Sequence, residues 1–109
     1  MPLLPMHTVD HIQPTDIERV ALERLLAHAQ RETGQARRVA DFLLAWWNPD
    51  ECGRFDLRDA WNLDDEIVAD IETVFGLIVH GRRYPDMLGY GSAFENLVRA
   101  RRPAASPAL

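Results

Sequence analysis

The stretch from Asp64 to Gly81 limits the fold of this chain more than any other, because it carries a complete helix signature. Ile67, Ile71, Val74, Phe75 and Ile78 recur at i, i+4, i+7, i+8 and i+11, the spacing that lines one face of an α-helix. Asp64, Asp65 and Glu66 stand at the positive end of the helix dipole and His80 at its negative end. Asn62 or Asp64 supplies a cap, and Gly81 a stop. A helix of this kind must bury its apolar stripe against other elements, so the rest of the chain has to provide them.

It does so with further helices. Thr15-Asp16-Ile17-Glu18 is a capping box, and Ile17, Ala21, Leu25 and Ala29 follow at spacings of four, with Leu22 and Leu26 beside them. Gly34 is placed to stop this first helix. Gln35 to Trp47 reads as a second helix, apolar over so much of its circumference that it belongs in the middle of the packing. Asn48-Pro49-Asp50 ends it and opens a polar loop over 48–56. Asp56-Leu57-Arg58-Asp59 begins a short helix carrying Leu57, Ala60 and Trp61. After a loop over 82–91, Ser92-Ala93-Phe94-Glu95 repeats the capping-box pattern and starts a last helix. Strand pairs and internal repeats are lacking. The expected fold is all-α, a compact bundle of four main helices plus one short helix, packed around Trp46, Phe42, Ile71, Phe75 and Leu97. Residues 1–14, with three prolines, read as a flexible N-terminal arm, 15–102 as a single helical domain, and 103–109 as a frayed C-terminal tail.

Size and charge narrow the function classes. A chain of 109 residues builds one modest core with little left for a deep catalytic cleft. Its net charge of −5 disfavours non-specific binding to nucleic acid, where phosphate contacts supply the affinity. All the basic residues are Arg, as a GC-rich coding bias produces. Cys52 is the only cysteine, so no internal disulfide forms, which fits a reducing compartment. Met1–His7 lacks a basic start and an apolar core, so no signal peptide is expected, and no apolar run is long enough to span a bilayer. The expected location is cytoplasmic, without a membrane partner.

Three blocks carry a resemblance. Arg38-Val-Ala-Asp-Phe-Leu-Leu-Ala-Trp-Trp-Asn, Gly53-Arg-Phe-Asp-Leu-Arg-Asp-Ala-Trp, and Tyr84-Pro-Asp with Gly89-Tyr-Gly resemble a family of short proteins of unknown function, encoded on proteobacterial plasmids and integrative elements. The likeness runs from about Ala21 to Pro103, is most specific in the Trp-Trp-Asn and Tyr-Pro-Asp blocks, and leaves out the N-terminal arm. It implies a genomic setting and no catalytic residues.

Chemical constellations are weak. His7 and His11 have the spacing of two metal ligands on one helical face, but they lie in a Pro-rich arm, and Cys52 and His80 join them only if the fold brings them together. No metal or cofactor is expected. A Cys52–His pair is a conceivable nucleophile, yet Asp50 and Glu51 would raise the thiol pKa. The acidic run Asp64, Asp65, Glu66, Asp70, Glu72 reads as a solvated, dipole-matched face rather than paired catalytic carboxylates. A helix–turn–helix reading of Asp56–Phe75 fails because its second helix carries those five acids where phosphate would lie.

Charge distribution and aromatics remain. Residues 63–81 hold five acids and no Arg, whereas 82–109 hold five Arg against two acids. Trp46 and Trp47 point about 100° apart on a helix, so both cannot enter one core layer. The chain is therefore read as a non-enzymatic protein-interaction or regulatory module of a bacterial mobile element. Its expected partner is another protein, met by Trp47, Tyr84, Tyr90, Arg82 and Arg83, since aromatic side chains beside Arg match binding hot spots. A homodimer is compatible with the split charge. The competing reading is a nucleic-acid-associated accessory protein using Arg99, Arg101 and Arg102.

Overall fold

The computed structural model describes residues 13–102, and helices account for most of them. Helix α1 spans Asp16–Ala29, α2 Gly34–Trp47, α3 Pro49–Cys52, α4 Asp65–Gly81 and α5 Gly91–Arg101; 3-10 segments occupy Leu57–Asn62 and Pro85–Leu88. Among the described residues there is no strand. The expected all-α bundle of four main helices is what the chain forms. The expected frayed tail at 103–109 and most of the expected arm at 1–14 lie outside the described residues; Pro14, at the arm's end, is buried.

α1 packs on both α2 and α4, and α5 packs on α2 and on the Pro85–Leu88 turn. Leu22, Leu25, Val39, Leu43, Leu44, Val74, Phe94 and Leu97 are essentially fully buried. Phe94 is the pivot of this core. Trp47 stacks on it at 5.6 Å between ring centroids, and Trp46 meets it edge-on at 5.7 Å. Adjacent tryptophans thus grip one phenyl ring from two directions, each remaining half-buried.

Local signals decide the helix starts. At α1 the capping box is complete: Glu18 N–H donates to Thr15 Oγ1 at 3.1 Å, and Thr15 N–H donates to Glu18 Oε1 at 2.9 Å. Gly34 does not stop α1. That helix ends at Ala29, and Gly34 instead opens α2, because Thr33 Oγ1 accepts the Ala36 N–H at 3.0 Å and so fixes a helix start one residue earlier. The expected 48–56 loop contains the turn α3. Asn48 closes α2 and caps α3 through its Oδ1, and Pro49 takes the first position, where its missing N–H is no loss.

The last helix starts at Gly91 without a side-chain cap, so the Ser92–Glu95 pair does not form the expected box. α4 ends at Gly81, but the left-handed residue that closes it is Arg82, not the glycine. The core also differs in one place. Phe42, Ile71 and Leu97 are buried, but Phe75 is 56% exposed. Phe75 lies about 100° from Val74 on the same helix, and the core accepts only one of the two. Ile17, at the foot of the first stripe, is exposed as well.

Candidate interaction surfaces

The segment following α4 is held at both ends and presents its middle to solvent. Arg82 adopts the left-handed conformation at φ 56°, and its N–H donates to the Ile78 carbonyl at 3.1 Å. Glycine is the usual occupant of that position, since a Cβ there meets the backbone. The Arg83 carbonyl accepts the indole N–H of Trp46 at 3.0 Å, which pins the segment to α2. Pro85 and Leu88 are buried and anchor the following turn. Between these anchors Arg82, Arg83, Tyr84 and Met87 are exposed. Among the described residues neither guanidinium has a hydrogen-bond or ion-pair partner.

Of the five residues expected to form a partner surface, Arg82, Arg83 and Tyr84 are therefore brought together. The other two are otherwise engaged. Trp47 stacks on Phe94, and the Tyr90 hydroxyl donates to Glu23 Oε2 at 2.9 Å. Burial pushes the Tyr90 hydroxyl pKa up, the bond to Glu23 adds to the rise, and Arg19 opposes it.

Two of the three C-terminal arginines are taken up by the fold. Arg101 Nε donates to the Ala29 carbonyl at 3.0 Å and its other nitrogen to the Arg31 carbonyl. Arg102 Nε donates to the Cys52 carbonyl at 2.8 Å, while Nη2 pairs with Asp41. Arg99 bonds Asn96 on its own helix. Arg101 and Arg102 thus tie the end of α5 to α1, α2 and α3, while Arg99 stays exposed.

A second surface went unseen in the sequence. An apolar groove of about 580 Å³ runs between α2, α4 and the Leu57–Asn62 segment, floored by Phe42, Trp46, Ile71 and Ile78 and flanked by Phe55. Phe75 and Leu57 stand at its mouth, the latter 79% exposed. Trp61, next to the groove-lining Ala60, is 80% exposed. Arg54 and Glu72 are its charged lining residues. One signal could have revealed it. The stripe of α4 is too wide for one interface, with Val74 and Phe75 adjacent, and the short segment adds Leu57 and Trp61 beside it.

A polar cleft of about 690 Å³ lies between α1 and the start of α4. Asp70 is buried in its wall and receives both Arg24 nitrogens, Nε at 2.9 Å and Nη2 at 2.8 Å, so it does not belong to the solvated acidic face. His28 lines the same cleft, with Nε2 buried and unpartnered. Cys52, the last residue of α3, is buried; burial raises its thiol pKa, Arg102 opposes and Glu51 reinforces. That thiol is protonated at neutral pH. Among the described residues no three His, Cys, Asp or Glu side chains are grouped to hold a metal, and no helix is long and apolar enough to cross a membrane. His7 and His11 lie outside the described residues.

Comparison with known proteins places residues 19–102 in a match to a family described as "Family of unknown function (DUF7673)". No curated protein and no solved structure matches the chain.

Proposed function

The chain belongs to the DUF7673 family of unknown function, and on that footing we propose that it is a non-enzymatic protein-interaction module, cytoplasmic and serving a bacterial mobile element. The resemblance of the Trp-Trp-Asn and Tyr-Pro-Asp blocks to plasmid- and element-encoded proteins supports the setting. One observation carries the interaction reading: Arg82 and Arg83 stand free beside exposed Tyr84, on a segment pinned at both ends. A left-handed Arg costs about 1 kcal/mol or more relative to Gly. Part of that is offset by the helix dipole, at about 0.3–1 kcal/mol. The remainder is strain kept at a point where a side chain is useful.

The partner chemistry follows from charge. Two guanidiniums without internal carboxylates suit an acidic protein segment, which they grip bidentately, while Tyr84 and Met87 take an apolar side chain beside it. Net charge does not forbid this, because at about 0.15 M salt charges beyond ~8 Å are screened and the contact senses only its surroundings. The nucleic-acid reading has less to draw on, since Arg101 and Arg102 have their donors filled by carbonyls and Asp41.

Affinity purification of the full chain from a bacterial lysate, with and without nuclease, tests the proposal. A stoichiometric protein recovered in both cases by wild type, and lost from the Arg82→Glu/Tyr84→Ala variant, is expected. Recovery that vanishes with nuclease, or an unchanged yield from the variant, would overturn it.

A further inference from the structure

We propose that the apolar groove is closed in solution by a second copy of this chain, in a two-fold dimer. This inference concerns a different face from the Arg82–Tyr84 segment. Three observations carry it.

The face holds both halves of a fit. Leu57 and Trp61 project from the 3-10 segment almost fully into solvent, and a groove of about 580 Å³ floored by Phe42, Trp46, Ile71 and Ile78 opens beside them. An isologous two-fold contact requires a self-complementary patch, in which whatever projects from one protomer enters the other. Projecting apolar side chains adjoining an apolar groove meet that requirement.

The groove's charges are also paired for self-association. Arg54 and Glu72 are of opposite sign, and Arg54 has only Asp50, at 4.0 Å, as a partner. Because both line the same groove, a two-fold axis through it gives each protomer one positive and one negative group to offer the other.

The area is of the right order. Leu57, Trp61, Phe75 and Val79 are 79%, 80%, 56% and 45% exposed. With aromatic side chains offering about 150–250 Å² each, the four together leave roughly 500 Å² of apolar surface uncovered. That lies in the upper part of what monomers keep exposed, and it is more than half of the ~800 Å² per partner of a standard interface.

Sedimentation equilibrium of the full chain, at concentrations from about 1 to 100 μM, reads the dimer directly, since the upper figure exceeds the Kd of most specific interfaces of this size. The wild type is expected to dimerise. Trp61→Asp and Phe75→Asp alter exposed side chains, so their helical circular dichroism is retained while the dimer Kd rises by about 30-fold or more, the loss typical of a hot-spot anchor. Arg54→Glu and Glu72→Arg each weaken the dimer, and the two together restore it. The Arg82→Glu/Tyr84→Ala variant keeps the wild-type Kd, which separates this inference from the partner surface. A wild type that is monomeric throughout, or a dimer indifferent to both Asp variants, overturns it.

Discussion

His28 shows how one atom's surroundings set a pH dependence. Its Nε2 is buried without an acceptor, so a second proton would add an unpaired donor. Burial lowers its pKa, Arg31 lowers it further, and Asp64 opposes. The folded state thus holds the proton less tightly than the unfolded chain. Stability is therefore full above the unfolded value of 6.5 and falls as the pH drops through it. Urea midpoints are expected to fall between about pH 7.5 and 5.5, the range in which His titrates, and His28→Gln is expected to flatten that slope. Asp70 teaches a related lesson. Sequence spacing put it with the solvated acids of α4, yet it faces α1, where Arg24 reaches across with two hydrogen bonds. Which acid is buried depends on which neighbour carries an Arg at the right height, and spacing within one helix does not encode that.

Helix ends repeat the lesson among elements. The capping box at Thr15 was legible because both partners lie four residues apart or closer and need nothing else. Gly34 was ambiguous, since glycine serves at either end of a helix and the Thr33 hydroxyl decided which. At the end of α4 the left-handed residue is Arg82, although Gly81 precedes it. Arg82→Gly is expected to raise stability by about 0.5–1 kcal/mol in thermal unfolding, by removing the left-handed strain. The same variant weakens partner capture. At the end of α5, Arg102 joins the Cys52 carbonyl and Asp41, so Arg102→Ala leaves two half-buried acceptors unpaired. A loss of about 1–3 kcal/mol is expected in urea denaturation.

Across the whole molecule, two surfaces of different physics lie on either side of Trp46. The Arg82–Tyr84 segment is held by charge and the groove by apolar contact. Raising salt from about 50 to 500 mM should weaken partner capture severalfold, because screening lengths shrink from over 10 Å to a few ångströms. The dimer should weaken less over the same change, since only its Arg54–Glu72 contacts are screened while its apolar contacts are not, and its melting temperature should rise with protein concentration. Calorimetry at the two salt levels and at several concentrations checks both. Trp46 links the surfaces, since it lines the groove and bonds the Arg83 carbonyl.

The turn α3 and the Pro85–Leu88 turn lay hidden in expected loops, whereas the four main helices, their order, most of the core and the exposed Arg82–Tyr84 stretch are legible in the amino-acid order. Those depend on periodicity, caps and turn residues, all of which act within a few positions. Helix packing settles that Phe75 turns outward while Val74 turns in, that Trp47 and Tyr90 are occupied by Phe94 and Glu23, and that Arg101 and Arg102 serve the fold. It also decided that a groove lies beside Leu57 and Trp61. The physical reason is common to all of these. An apolar or charged side chain carries the same signal whether it meets a neighbour or solvent, and the angles at which helices cross determine which of the two it finds.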